Sequence, residues 1–487
     1  MRRLIALFAA LLLSVSSFAQ TDYFQNRRRE FASFGEKRQN DFARFRDSVN
    51  LEYTKFMRSA WQKFHLEDAL PEPVEEPVPV IDYEADPKPI DSEPIEFEIE
   101  QPPVVIDDPE PVPIEPMPVV KDDPVDRISL EFYSSDLAFR LPKRMPVLNA
   151  HNEASVADMW DELASGLNCT LSDLFAYRKE LALCDWAYLE LCQALVGSVY
   201  EDESEADVLE AFLMAQSGFK VRLARDSAGD LHYLLATNRL LCGHRYFSVD
   251  GDNYFLLNKD ISELYIFDKA FSSEQALRME IAQEMNLKEN SVSCKVLTAE
   301  ASPEMFLTVC VNKNLIDFYN TYPSSMRPSD SGSKWQLYAQ TPISQGVKNQ
   351  LYPDLRRELA GKTEAQAANL LLNLVQTGFV YGYDSEIWGC GDRPFFAEET
   401  LYYPYSDCED RAILYSHLIR DLLDLDVVLL YYPGHLATAV CFNEEVEGDY
   451  LIYEGKRYVV CDPTYIHAPV GLTMKDMDNS LAKIIVL

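Results

Sequence analysis

The sequence predicts an α+β protein, and two stretches of the chain carry this prediction. Residues 176–258 pass from helical patterns into short β-like runs, and residues 365–461 do the same. In the second stretch, apolar residues at helical spacing are followed by apolar runs separated by turn residues. Helices that precede a meander of strands are typical of α+β domains rather than of alternating βαβ units.

The first 19 residues have the pattern of a secretory signal peptide. Two arginines precede an apolar run from Leu4 to Leu13, and small residues precede the expected cut after Ala19. The alternative is an uncleaved anchor helix, but the apolar run is short for a membrane span. We therefore expect a secreted or periplasmic protein.

Residues 20–68 are predicted to form one amphipathic, basic helix. From Phe31 to Phe64, apolar residues recur at spacings of mostly three or four, and arginines and lysines occupy the other faces. Over residues 22–66 such a helix can contact an anionic membrane surface or a protein partner. The alternative is a helix that packs on its own protein or self-associates.

Residues 69–125 are predicted to form a disordered linker. The part from 71 to 125 holds 15 prolines and 17 acidic residues, with two lysines and no glycine. Proline removes backbone donors and like charges repel, so this segment should be an extended spacer. The whole chain has a net charge of -35. That charge argues against nucleic acid as a partner, because no surplus of cations is available for phosphates.

Three further segments follow. Residues 126–265 are predicted to form an α+β domain, with a tight turn at Asp250-Gly251. Residues 266–339 mix helix and strand patterns and are taken as a connecting segment. Residues 340–487 form the last domain.

The last domain has the clearest pattern of elements. A helix is expected from Ala365 to Thr377, with Gly378 as its stop signal, and a second helix from Asp407 to about Leu423. Strands are expected at 426–432, 435–442, 450–453 and 457–461.

Cys408 is the candidate nucleophile of this domain. Ser406 and Glu409 have the spacing of a capping box, which would put Cys408 in the first turn of a helix. Backbone N–H groups and the positive end of the helix dipole favour a thiolate there, so we expect a lowered thiol pKa. A nearby oxyanion could use the same amides.

His435 and Asp462 are the candidate base and its orienting group. His435 opens one predicted strand and Asp462 closes another, just before Pro463. If these strands run antiparallel, the imidazole and the carboxylate lie side by side, as in other catalytic triads. The alternative is that the three residues arose separately as a buried cysteine, a surface histidine and a turn aspartate. We favour the triad because all three stand in order at element ends.

The motifs resemble those of the transglutaminase-like superfamily, which has a papain-like fold. The resemblance covers roughly residues 365–470. It rests on Ser406-Asp407-Cys408-Glu409-Asp410-Arg411-Ala412, Tyr432-Pro433-Gly434-His435 and Cys461-Asp462-Pro463-Thr464. One departure is Ser406, which stands where a glycine often precedes the Asp-Cys pair.

This resemblance implies a core in which the cysteine-bearing helix packs on an antiparallel sheet that carries the histidine and the aspartate. It also implies thiolate attack on a peptide or carboxamide carbonyl to form a thioester. Hydrolysis is favoured over cross-linking by family analogy, and the expected substrate is a protein or peptide. The candidate side-chain oxyanion donors are Trp388, Tyr383 and Gln376, in that order.

No metal site or cofactor is predicted, because none of the ten cysteines forms a CxxC pair and no Cys/His cluster has zinc spacing. The alternative function is a non-catalytic binding protein on the same scaffold.

The segment before this domain contains a candidate degenerate copy of it. Residues 219–223, 229–231 and 250–258 match later segments at offsets of 206, 205 and 204 residues. Asp202, Asp230 and Asn258 then occupy the positions of the three catalytic residues. The alternative is a coincidence of common helix and hairpin patterns. Superposition decides between them, since a different strand order would rule out a copy.

Overall fold

The computed structural model describes residues 47–72, 74, 94–99, 125–257, 259–271, 273–290, 294–328, 332–387 and 391–487. The predicted signal peptide, residues 20–46 and most of the linker lie outside the described residues. None of the described helices combines the length and the apolar character that crossing a bilayer requires.

The described residues form an α+β fold, as predicted. The α-helices are α1 (47–57), α2 (Glu153–Gly166), α3 (Asn168–Glu180), α4 (Asp185–Gly197), α5 (Glu203–Gln216), α6 (Lys313–Tyr319), α7 (Ser333–Gln340), α8 (Gln345–Leu359), α9 (Glu364–Thr377), α10 (Asp384–Ile387), α11 (Ala397–Tyr402) and α12 (Cys408–Leu423).

The strands follow in the same chain order. They are β1 (Gln62–His65), β2 (Phe97–Ile99), β3 (Val125–Phe132), β4 (Ser135–Pro142), β5 (Val221–Arg225), β6 (Leu231–Thr237), β7 (Leu240–Leu241), β8 (Arg245–Val249), β9 (Asp252–Leu256), β10 (Glu263–Phe267), β11 (Cys294–Ala299), β12 (Ser302–Cys310), β13 (Ser325–Met326), β14 (Val380–Tyr381), β15 (Tyr405–Ser406), β16 (Asp426–Tyr432), β17 (His435–Cys441), β18 (Tyr450–Tyr453), β19 (Lys456–Cys461) and β20 (Ala482–Val486).

Local sequence signals explain many of these boundaries. Thr363 and Gln366 form a capping box at the start of α9, and Gly378 caps its end. Between β8 and β9, Asp250 and Gly251 have φ angles of 52° and 90°, which a two-residue hairpin turn requires. The strands predicted at 426–432 and 450–453 are β16 and β18.

Two six-stranded sheets have the same topology. The first unit is the sheet β8-β9-β6-β5-β10-β1 with α5, and the second unit is the sheet β18-β19-β17-β16-β20-β2 with α12. In each unit the helix comes immediately before the first strand of the meander. The strand order is therefore the one that an internal duplication predicts.

The register of the two sheets also agrees with the offsets found in the sequence. The equivalent pairs are Leu223 with Tyr233 and Leu429 with Thr438, and Leu235 with Phe255 and Val440 with Val459. The units differ at the last strand, because β1 pairs antiparallel with β10 whereas β2 pairs parallel with β20. The two sheets therefore share their register across two strand pairs, as an internal duplication predicts.

The predicted N-terminal helix ends earlier than expected. The helical residues stop at 57, and Gln62–His65 form β1 at the edge of the first sheet. The apolar face of α1 is buried in the protein itself, where Tyr53 packs against Trp160 and Phe271. Tertiary pairing has overridden the helical periodicity in residues 58–66.

The linker and the domain boundaries also need correction. Phe97–Ile99 lie within the predicted disordered linker but form β2 on the second sheet. β10 extends the first sheet to Phe267, past the predicted boundary at 265. The predicted connecting segment contains the hairpin β11–β12 and α7. One continuous apolar core runs through both units.

Candidate active site

Cys408 is the first residue of α12, as expected, but the cap of this helix differs from the prediction. The N-cap is Asp407, whose carboxylate accepts from the Asp410 amide at 3.4 Å, and Asp410 accepts from the Asp407 amide at 3.1 Å. The predicted box of Ser406 and Glu409 is therefore wrong by one residue. Ser406 instead lies in β15, and its hydroxyl accepts from the buried Arg411 side chain at 3.3 Å.

His435 and Asp462 lie side by side, as the antiparallel pairing predicts. β17 pairs antiparallel with β19, so the start of one strand meets the end of the other. His435 Nε2 is 2.8 Å from Asp462 Oδ2. The other carboxylate oxygen accepts from the backbone amides of Thr464 and Tyr465 at 2.9 and 3.1 Å. One carboxylate oxygen is thus held by backbone amides of the turn after β19, and the other faces the imidazole.

Gln376 supports this pair rather than an oxyanion. Its side-chain amide donates to the backbone carbonyls of Asp462 at 2.9 Å and Ala468 at 3.0 Å. Both amide hydrogens are therefore engaged, so Gln376 has none left for a substrate oxygen. The prediction of an oxyanion role for Gln376 is wrong, and its role is to hold the turn that follows β19.

Cys408 and His435 line one cleft of about 440 Å³, a volume that includes its open mouth. Cys408 is only 5% exposed and forms part of the lining of this cleft. The residues that line the cleft are Val74, Lys334, Trp335, Tyr381, Asp392, Asp407, Cys408, Glu409, Tyr431, Gly434, His435 and Leu436.

The thiol is not a preformed thiolate. Its Sγ lies 3.5 Å from Glu409 Oε2, and His435 Nδ1 is buried without a hydrogen-bond partner among the described residues. Burial raises the pKa of the Cys408 thiol well above its usual value, and the carboxyls of Glu409 and Asp407 add to this. The backbone N–H of Leu436 opposes the shift. The prediction of a lowered pKa is wrong for this arrangement, because desolvation and nearby acids outweigh the helix N-terminus.

Two buried donors in the cleft were missed from the sequence. The indole Nε1 of Trp335 and the hydroxyl of Tyr381 are buried without hydrogen-bond partners among the described residues. Trp335 packs against Tyr431 with ring centroids 5.2 Å apart. Unpaired buried donors are uncommon in folded proteins and call for an explanation.

Of the predicted oxyanion donors, Trp388 lies outside the described residues. Tyr383 packs edge-on against Tyr381, with ring centroids 5.4 Å apart, and does not line the cleft. Trp335 was overlooked because α7 lies far upstream of the motifs. Its only sequence signal is a tryptophan on a short helical segment.

Three buried carboxylates converge beside the cleft. Ligand oxygens of Asp384, Asp392 and Asp407 lie within 4.8 Å of one another. Lys334 Nζ is already 2.6 Å from Asp392, and the Arg393 amide donates to Asp384 at 2.7 Å. Because an ammonium group and a backbone amide serve these carboxylates, we assign no metal to them.

The first unit lacks the nucleophile at the equivalent position. Asp202 is the N-cap of α5, whereas Cys408 is the first residue of α12. Aligning the helix starts matches Glu203 to Cys408, and the strand offset of 206 matches Asp202, so neither alignment gives a cysteine. Asp230 directly precedes β6, as predicted, and Asn258 lies outside the described residues.

The chain was compared with known proteins at three levels. No protein-family model matches it, and no curated protein or solved structure does either. The chemistry of this chain must therefore be argued from its own residues.

Proposed function

We propose that the second unit, with α7, is a transglutaminase-like, papain-like core and acts as a cysteine enzyme on a peptide or carboxamide carbonyl. The observation that carries the proposal is the His435–Asp462 pair, at 2.8 Å, on the same cleft as Cys408. A thiol, an imidazole with one nitrogen free and an oriented carboxylate are the groups that thioester chemistry needs.

The proposed reaction begins with a proton transfer. Asp462 accepts a hydrogen bond from the Nε2–H of His435, which keeps the proton on Nε2 and leaves Nδ1 as the base. Nδ1 takes the thiol proton of Cys408 as Sγ attacks the carbonyl carbon. The imidazolium then gives that proton to the departing amine, leaving a thioester. Water then loses a proton to Nδ1 and attacks the thioester carbonyl, the C–S bond breaks to release the acid, and Sγ recovers the proton from the imidazolium. We favour this hydrolysis over transfer to a second amine.

The oxyanion has two kinds of donor available in this cleft. The first turn of a helix leaves its backbone N–H groups without acceptors in the helix, which includes the amide of Cys408. Trp335 Nε1 and the Tyr381 hydroxyl supply side-chain donors. Donors that are already in position stabilise developing negative charge more than mobile water does.

Export is part of the proposal. A disulfide joins Cys294 to Cys310 across the hairpin β11–β12, where the two residues are directly paired. Disulfides persist in oxidising compartments and are rare in the cytosol. This bond supports the secreted or periplasmic location that residues 1–19 predict.

A binding protein without catalysis is the second candidate. The observations that favour it are the 5% exposure of Cys408 and the raised pKa of its thiol. A buried neutral thiol is a small apolar group and need not react.

Peptide-library profiling with and without an amine donor decides between the two. We expect wild type to cleave or transfer amides, and Cys408→Ala and His435→Ala to lose activity by at least about 1,000-fold. Cys192→Ala, which removes a buried cysteine of α4, is the matched control and should stay active. Turnover retained in folded Cys408→Ala protein would reject the enzyme, and the binder predicts none in wild type.

A further inference from the structure

Two groups in the cleft can accept a hydrogen bond from the Cys408 thiol, and only one is used. Glu409 Oε2 lies 3.5 Å from Sγ, whereas His435 Nδ1 has no partner among the described residues. Both acceptors are buried, with 5% of Glu409 and 1% of His435 exposed. The thiol is therefore turned toward the acid next to it in sequence and not toward the base of the triad.

Two further residues, Asp392 and Lys334, fix the position of the Glu409 side chain. Its carboxyl hydrogen-bonds to the carboxyl of Asp392, and Lys334 Nζ lies 2.6 Å from Asp392. All three side chains line the cleft that contains Cys408. Lys334 Nζ also lies over the ring of Trp335, at 4.3 Å from its centroid. This contact fixes the position of Lys334, the last residue in the series of contacts from Glu409 through Asp392.

The shared proton of the two carboxyls belongs to Glu409. Burial raises the pKa of Glu409, and the negative charges of Asp407 and Asp392 raise it further. Burial also acts to raise the pKa of Asp392, but the hydrogen bond from Glu409 and the charge of Lys334 outweigh it and lower that pKa. These directions favour a protonated Glu409 beside an ionised Asp392, which pairs with Lys334.

We propose that Glu409, anchored by Asp392 and Lys334, is a positioning residue that holds the Cys408 thiol in a resting orientation away from His435. This inference rests on the proposed function and adds a resting state to it. Glu409 does not need to touch the reacting carbonyl. It competes with His435 for one S–H group.

The change to the reactive state is a rotation of one side chain followed by one proton transfer. Sγ turns from Glu409 to His435, and the S–H proton moves to Nδ1, leaving a thiolate beside an imidazolium. The other ionisable groups that line the cleft are Asp407, Asp392, Lys334, Tyr381 and Tyr431. Two of these are carboxyls that disfavour a second negative charge, so the imidazolium is what makes the thiolate tolerable.

The test is the pH profile of Cys408 alkylation by iodoacetamide, followed by mass spectrometry. In Glu409→Ala the thiol should pair with His435, so alkylation at pH 7 should rise by about tenfold or more and begin at lower pH. The conservative Glu409→Gln keeps an accepting oxygen and a donor toward Asp392, and it should restore slow labelling. Adding His435→Ala to Glu409→Ala should abolish the gain.

The matched control is Glu210→Ala. Glu210 is a buried acid on α5 of the first unit, and burial raises its pKa to about 7. Its removal should leave Cys408 labelling unchanged. If Glu409→Ala does not fold, as judged by thermal unfolding, Asp392→Asn removes the anion that holds Glu409 and should raise labelling in the same direction.

Two outcomes would overturn the inference. One is a pH profile of Cys408 alkylation that equals that of wild type in folded Glu409→Ala or, if that variant does not fold, in folded Asp392→Asn. The other is a Glu409→Gln profile equal to that of Glu409→Ala, which would mean that charge and not position matters. The proposed function fails separately, when peptide turnover does not depend on Cys408 and His435.

Discussion

In the proposed triad, Asp462 is oriented by contacts besides the one with His435. Asp462 uses one oxygen for two backbone amides and the other for His435. Gln376 then holds the backbone carbonyl of Asp462. Fixing a carboxylate through neighbouring amides sets the imidazole tautomer without requiring a protonated aspartate.

Trp335 should contribute to the rate through its indole N–H. Trp335→Phe keeps the ring that packs on Tyr431 but removes the unpaired buried donor. We expect kcat to fall by roughly 100-fold, as for the loss of one oxyanion donor, with little change in KM. The measurement is steady-state kinetics on the best substrate from the peptide library.

Trp186→Phe is the control, because it removes an indole N–H from a buried tryptophan of α4 that does not line the cleft. It should leave the rate unchanged. An unchanged kcat in Trp335→Phe would instead assign the side-chain donor role to Tyr381 or to backbone amides alone.

At this scale the sequence could identify the residues that stand at element ends. Cys408, His435 and Asp462 are each fixed by a local boundary, and local patterns reveal boundaries. The rest of the cleft could not be predicted in the same way. Trp335 and Lys334 reach it from α7 through tertiary packing, which no spacing within the motifs encodes.

Elements were predicted best where local signals and burial agree. α9 and the strands β16 to β19 combine capping or turn residues with buried apolar faces, so their bounds match the predicted ones closely. α1 fails for the opposite reason. Its periodicity continues past residue 57, but Gln62–His65 gain backbone pairing at the free edge of β10.

The short helix α11 is fastened to α8 by a buried acid that should make stability depend on pH. Glu398 accepts from the amide of Ser344, the N-cap of α8, at 2.6 Å. Burial raises the pKa of Glu398 to about 7, from 4.5. The folded protein therefore binds the carboxyl proton of Glu398 more tightly than the unfolded chain does. The stabilisation is complete below pH 4.5 and is lost as the pH rises through 7.

Glu398→Gln should remove this dependence, because an amide accepts the same bond and does not titrate. Relative to wild type, its free energy of unfolding should increase by roughly 3 kcal/mol between pH 4.5 and 7. Urea unfolding at several pH values measures this difference. Below pH 4.5 the difference should be flat, which serves as the internal control. A difference that stays constant across the range would show that Glu398 is ionised in the folded protein.

The described residues contain two units of equal topology that share one core. The first unit has the strand order of the second and shares its register, but it has no cysteine at the start of α5. The offsets between the matching sequence segments predicted that the two units correspond, because the turn and the hydrophobic pattern of each hairpin fix the register of its strands. The boundary at 340 was misplaced, since α7 belongs to the cleft of the second unit.

A shared core predicts that the two units unfold together. Phe212 of α5 is fully buried and packs edge-on against Trp160, with centroids 5.1 Å apart. Phe212→Ala should cost about 3–5 kcal/mol. Cys192 of α4, which packs on α5 of the first unit, and Cys461 of the second unit are both fully buried, so their alkylation in urea reports on the two units separately.

In wild type, Cys192 and Cys461 should become reactive at the same urea concentration, and Phe212→Ala should lower both midpoints equally. The reason is that apolar contacts run continuously from α5 to β19, so loss of the first unit exposes surface that the second unit needs buried. Labelling of Cys192 well before Cys461 would contradict this. The first unit would then be a separate domain, and the cleft of the second unit would not depend on it for stability.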